Sequence, residues 1–165
     1  MAGEKSQVEV REFTINNDPG YIFTELVRAN YDMVCFSCYI WNIEQIKVLA
    51  RDFREACPSV KILVGGPEVS FCGPEFMKEN PWADYAICGE GEYSFYRLCQ
   101  VLESIDKRFD TVPGLIYRQD GKIYVNGLVE PQSTVTRASG NFSAARRAIS
   151  GAMSTPVTLC TSRAR

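Results

Sequence analysis

Three short apolar runs, each released into a loop rich in glycine or small polar residues, constrain this chain more than any other feature. Met33-Val34-Cys35-Phe36, Ile62-Leu63-Val64 and Tyr85-Ala86-Ile87-Cys88 lack the alternation of a half-exposed strand. Unbroken runs of this length are expected of strands covered on both faces in a parallel sheet. Between them lie stretches with helical spacing. Asp18-Pro19 opens the first, which carries Ile22, Leu26 and Ala29 along one side, and Ile43, Ile46, Ala50 and Phe53 mark a second that stops before Pro58. A third, after Glu92, carries Phe95, Leu98, Cys99 and Leu102 on one stripe.

Strand and helix thus repeat at about 25 residues, the signature of a doubly wound, mostly parallel Rossmann-like (flavodoxin-like) α/β sheet with right-handed crossovers. Val8 to Ile15 alternates strictly between apolar and polar residues, an edge-like strand. Doubly wound folds place their first strand centrally, so a chain that begins on such an edge is expected to lack its first strand and to carry a hole in mid-sheet. At the other end, Leu115–Arg118 and Lys122–Val125 flank Asp120-Gly121, a strong signal for a C-terminal β-hairpin.

Charge divides the chain. Up to Glu130 there are 20 acidic and 13 basic residues; beyond it there are five arginines, no acid and 11 Ser or Thr. So little apolar surface cannot offset the entropy of ordering a backbone, and residues 127–165 are expected to be a flexible Ser/Thr/Arg-rich tail. Residues 1–7 are expected to be a disordered start, leaving 8–126 as the domain. The net charge of −2 argues against a nucleic-acid partner. No apolar run reaches the roughly 18 residues of a membrane span, and Met1–Gln7 has no signal-peptide character. Seven cysteines, an odd number, read as reduced thiols in the cytoplasm.

Ligands of open α/β sheets gather beyond the carboxyl ends of the strands. Three loops there are candidates. Ser37 to Asn42 offers a hydroxyl, the aromatic pair Tyr39 and Trp41, and an amide; Asn42 also reads as a helix N-cap, with Gln45 completing a capping-box pattern. Gly65-Gly66-Pro67, followed by Glu68 and Ser70, allows close approach to bare backbone, although an ordinary strand-to-loop turn would look similar. Gly89-Glu90-Gly91-Glu92 puts two carboxylates at a helix mouth, where they either cap the helix or repel a phosphate and favour a neutral ligand offering N–H donors. Cys35-x-x-Cys38 has no second cysteine pair or histidine to complete a zinc site, so these thiols are read as structural and no protein-ligated metal is expected. The absence of histidine also excludes a Ser-His-Asp or Cys-His nucleophile within the chain.

Taken in order, "VEVREFTIN", "FSCYIWNI", "ILVGGPEVS", "DYAICGEGE" and "PGLIYR" resemble the N-terminal halves of cobalamin-binding radical S-adenosylmethionine proteins over residues 8 to 126. The resemblance implies a domain that presents cobalamin to a catalytic domain absent from this chain, where an iron–sulfur cluster cleaves S-adenosylmethionine. This chain would then be non-catalytic alone, and its parent methyltransferase-like. By position, Ser37, Tyr39, Trp41 and Asn42 would line the loop beside the corrin. Gly65, Gly66, Pro67, Glu68 and Ser70 would pass along its edge, and Gly89, Glu90, Gly91 and Glu92 would close the site. Cobalamin domains of mutases and methionine synthases supply a histidine to cobalt from a D-x-H-x-x-G loop. Without any histidine, this sequence implies a cobalt that takes none from the protein. The competing reading is an independent doubly wound enzyme binding a nucleotide or small molecule, or an interaction domain. The former needs a G-x-G-x-x-G loop that the sequence lacks, and a receiver-type domain needs aspartates clustered at its strand ends.

Overall fold

A computed structural model describes residues 7–128 and 157–163. Along the chain come β1 (Gln7–Phe13), α1 (Pro19–Ala29), β2 (Met33–Ser37), α2 (Ile43–Ala56) and β3 (Lys61–Gly65). These are followed by α3 (Pro67–Ser70), α4 (Gly73–Glu79), β4 (Tyr85–Ile87), α5 (Gly91–Glu103), β5 (Leu115–Gln119), β6 (Lys122–Val125) and β7 (Val157–Arg163). One sheet takes them in the order β1-β7-β2-β3-β4-β5-β6. Its centre, β2-β3-β4, is parallel, with Val34 opposite Ile62 and Val64 opposite Ala86.

Alternate residues of the apolar strands feed two cores, as strands covered on both sides require. Val34, Phe36, Ile62, Val64 and Ala86 pack under α1, α2, α3 and α4 with Leu26, Ile46, Phe53, Val69 and Met77. Met33, Cys35, Leu63, Tyr85 and Ile87 pack under α5 with Phe95, Leu98 and Val101. The Rossmann-like arrangement expected from the apolar runs is therefore present. Of the stripe expected on α5, Phe95 and Leu98 are buried, while Cys99 and Leu102 lie half-buried beside them.

Local signals are mostly obeyed. The Asp18 carboxylate accepts from the Tyr21 N–H at 2.9 Å, capping α1 with Pro19 in its first turn. In the β5–β6 hairpin, Gln119 faces Lys122 across Asp120 and Gly121, whose φ values of 50° and 74° are those of a type I′ turn. Below the sheet's amino end, Asp84 ties three elements together. It accepts from the Arg54 guanidinium, from Lys61 and from the Ile62 N–H, while Arg54 also reaches the carbonyls of Trp82, Pro58 and Val60.

The structure departs from expectation in three places. Pro67–Ser70 is a helical turn and not an open loop, and Gly73–Glu79 is a further helix that the sequence reading passed over. Pro67 and Pro74 suggest breaks, yet each stands at the start of its helix, where a missing N–H costs nothing. Gln7, assigned to the disordered start, belongs to β1. Within the segment expected to be a flexible tail, Gly127 accepts from the Gly114 N–H at 3.0 Å and Val157–Arg163 forms a strand. That strand fills the mid-sheet hole expected of a chain without its first strand. It runs antiparallel to β1 and β2, which are thereby parallel to each other. The rest of the tail and residues 1–6 lie outside the described residues. Among the described residues, no helix is long and apolar enough to cross a membrane.

Candidate functional site

The loops after β2, β3 and β4 meet at the carboxyl rim and are stitched together by hydrogen bonds. The Cys38 N–H donates to the Gly65 carbonyl at 2.7 Å, and the Cys38 carbonyl accepts from the Glu68 N–H at 3.3 Å. Ser70 joins the second loop to the third. Its hydroxyl donates to the Gly66 carbonyl at 3.0 Å and accepts from the Gly89 N–H at 3.1 Å. Cys88 closes the far side by donating its N–H to the Gly114 carbonyl at 2.9 Å. Every rim segment singled out from sequence is thus brought into one contiguous surface.

Gly66 explains why the double glycine is there. With φ at 100° and ψ at 176° it occupies backbone space that only glycine enters readily. A Cβ at that position would stand 2.6 Å from the Cys38 carbonyl oxygen and 2.9 Å from the Cys38 nitrogen, both backbone atoms unable to yield. The glycine therefore permits the union of two loops, beyond any ease of ligand approach. Gly114, inside the "PGLIYR" segment, does the same for the third loop. At φ 61° its Cβ would fall 2.5 Å from the Cys88 carbonyl oxygen. The sequence reading did not include Gly114 or Cys38 in the site; the Pro113-Gly114 dipeptide was the available signal.

Asn42 stands at the N-cap position of α2, but its side chain does not cap the helix. It turns back instead, accepting from the Tyr39 N–H at 2.8 Å and donating to the Ser37 carbonyl at 3.0 Å. Gln45, expected to complete a capping box, donates to the Ile15 carbonyl at 3.4 Å. At ψ of −10° the Asn42 backbone is not extended as a capping residue is, and the amide serves the preceding loop. That loop holds Tyr39 and Trp41 stacked, ring centres 4.7 Å apart and planes 9° from parallel. Trp41 stays 54% exposed, and Ile40, Phe71 and Tyr93 add further exposed apolar surface on the same rim.

The carboxylates differ in exposure. Glu90 is exposed, Glu68 and Glu92 are half-buried, and Glu90 makes no side-chain capping bond to α5 although it occupies the N-cap position. No lysine or arginine occurs in 37–42, 65–70 or 88–92. Loops with carboxylate and carbonyl acceptors and a flat aromatic pair suit a broad ring fringed with amide donors, with Lys47 of α2 a cation that acts on Cys38. Cys38 is buried, and burial pushes its thiol up to about 12, so it is an inert part of the scaffold. Among the described residues, no three His, Cys, Asp or Glu side chains are grouped to hold a metal ion.

Comparison with known proteins gives the same direction. The family model described as the B12 binding domain matches residues 1–99, more than half of the chain. The chain belongs to the B12-binding domain family. Its match ends in α5, so the β5–β6 hairpin and β7 lie beyond it. Among curated proteins, the cobalamin-dependent radical SAM methyltransferase TokK of Streptomyces tokunonensis is 32% identical over 88 residues, 53% of this chain and 13% of that protein. The 2-(S-pantetheinyl)-carbapenam-3-carboxylate methyltransferase of Streptantibioticus cattleyicolor is 31% identical over 87 residues, 53% and 13% of the two chains. An uncharacterized methyltransferase of Pyrococcus horikoshii, PH0819, is 35% identical over 84 residues, 51% and 17% of the two. This B12-binding chain therefore spans less than a fifth of each relative. Family membership and these relatives support corrinoid binding.

Proposed function

We propose that the domain of residues 8–126 holds cobalamin on its carboxyl rim and presents it to a radical S-adenosylmethionine catalytic domain carried elsewhere in the parent protein. The observation that carries this reading is the union of three loops into one surface edged by the carboxylates of Glu68, Glu90 and Glu92, in a chain of the B12-binding family. Ser37, Tyr39, Trp41 and Asn42 would flank the ring on one side. Gly65, Gly66, Pro67, Glu68 and Ser70 would run along its margin, and Gly89, Glu90, Gly91 and Glu92 would close the far side.

When bound, the cofactor would supply a carried methyl group. The work of this chain is to bind and orient. Glu68, Glu90 and Glu92 would accept from amide N–H groups of the ring, and the Tyr39–Trp41 stack would offer it a flat apolar wall. With no histidine in the sequence, no imidazole of this chain reaches cobalt. The iron–sulfur cluster, S-adenosylmethionine and the methyl acceptor belong to the proposed parent, which the three named methyltransferases suggest. The odd cysteine count favours a cytoplasmic setting, and the acidic rim disfavours nucleic acid.

The test is uptake of hydroxocobalamin by the purified chain. Co-elution of corrin with protein on gel filtration, with an altered visible spectrum, is the expected result. Glu90→Lys should weaken it by repelling the amide donors. Corrin that elutes wholly free of a folded chain would overturn the assignment.

A further inference from the structure

Two thiols meet between the second and third rim loops, 16 residues apart in sequence. Cys72, in the turn between α3 and α4, donates to the Glu68 carbonyl at 3.1 Å, and Cys88, just past β4, donates to the Val69 carbonyl at 3.7 Å. Both sulfurs thus lie against adjacent carbonyls of one helical turn. Gly73 lets them approach. A Cβ there would stand 2.7 Å from Cys88 Sγ, so that sulfur rests against the residue next to Cys72, one Cα step of about 3.8 Å away. The two groups also interact by charge: burial pushes the Cys88 thiol up, and Cys72 pushes it further. Cys72 is exposed and Cys88 half-buried, whereas Cys35 and Cys38, the pair conspicuous in the sequence, are buried. Lys47, held up first by its bond to Glu44, also feels Cys72, which places a cation where it favours the Cys72 thiolate.

We infer that Cys72 and Cys88 form a reversible disulfide, with Cys72 as the attacking thiol and a low-molecular-weight disulfide as oxidant. The Cys72 thiolate attacks one sulfur of the oxidant, whose S–S bond breaks to release one small thiolate. The Cys88 thiolate then attacks the Cys72 sulfur of the mixed disulfide, and the second small thiolate leaves. Two protein thiols are oxidised by two electrons, one small disulfide is reduced to two thiols, and the two protons pass to those. Turning the Cys72 side chain about χ1 towards Cys88 gives up its bond to the Glu68 carbonyl. The new bond joins the second rim loop to the third covalently, where Ser70 already joins them through the Gly89 N–H. It depends on these two thiols and not on the corrin assignment.

The test oxidises the full chain, first reduced, with glutathione disulfide under native conditions. Free thiols are then blocked with iodoacetamide, and the monomer band of a non-reducing gel is digested with trypsin. Cleavage after Lys61, Lys78 and Arg97 puts Cys72 alone in peptide 62–78 and Cys88 alone in peptide 79–97. Mass spectrometry should find these two peptides joined, and dithiothreitol should release them. In Cys88→Ser the second step is blocked, so glutathione should stay on Cys72. Because the resolving thiol of the wild type is intramolecular, wild type should hold about tenfold less of that mixed disulfide than C88S. Equal glutathione on Cys72 in the two chains, with no joined peptide, overturns the inference. A monomer that links Cys72 to some other cysteine in preference does so too. Should C88S fail to fold, the joined peptide in the wild-type digest decides alone.

Discussion

The two halves of this sheet are assembled differently. In the half from β2 to β5, neighbouring strands are close in sequence, linked through one or two helices each, and sandwiched between α2, α3 and α4 on one face and α5 on the other. In the half containing β1 and β7, the ladder joins residues 7–13 to residues 157–163, the two ends of the described chain. The first half needs only local crossovers and buries Val64, Ile62 and Leu98 completely. The second needs a contact made across nearly the whole sequence, and Val8 and Val10 remain half-buried. Stability should therefore concentrate in the parallel centre, with the candidate site on the firmer half and β1 more readily opened.

The contrast can be broken most severely at Gly66. Gly66→Val forces a side chain into glycine-only backbone space and against the Cys38 backbone, and should cost about 3 kcal/mol or more in urea unfolding. Corrin uptake should fall with it, whereas an unaffected variant would mean that the two loops are not joined as described. Leu98→Ala, at a wholly buried position of α5, should cost about 3 kcal/mol, while Val10→Ala in β1 should cost under about 1 kcal/mol. Equal losses would erase the difference between halves. Asp84→Ala removes the counter-charge of the partly buried Arg54 guanidinium, which keeps its carbonyl acceptors, and the carboxylate that accepts from the Ile62 N–H, and should cost about 2 kcal/mol by the same melts.

A smaller effect is expected from pH. Burial raises the Cys38 thiol from 9.0 to about 12, so the folded state holds this proton more tightly than the unfolded chain does. The resulting stability is fully present below pH 9 and is lost progressively as pH climbs towards 12. Tyr85, raised from 10.0 to about 12 by burial first and then by Asp84, adds to the loss in the upper part of that window. Cys38→Ala should flatten the alkaline slope of urea unfolding, and an unchanged slope would show that Cys38 is already accessible to solvent.

Much of the parallel half was legible because its signals are local. Asp18-Pro19, Asp120-Gly121 and the apolar runs each act within a few residues, and each did so as expected. The rim loops could be named for the same reason, since their position follows from where the strands stop. What escaped was set by contacts between distant segments. Gly66 reads as a loop-maker, but its role depends on Cys38. Asn42 reads as a helix cap until the carbonyl of Ser37 and the N–H of Tyr39 compete for it. The strand at Val157–Arg163 was obscured because the polar composition of the whole segment outweighed its few β-branched residues, and only open edges on β1 and β2 give it a partner.

The clasp through Cys38 and Ser70 has a bearing on recognition. Loops joined by main-chain hydrogen bonds at Cys38 and by the Ser70 hydroxyl shift together, so the rim has few alternative shapes to relinquish when a guest arrives. Little ordering entropy then opposes capture. Selectivity follows from that rigidity, because a surface unable to remould itself turns away rings of the wrong breadth.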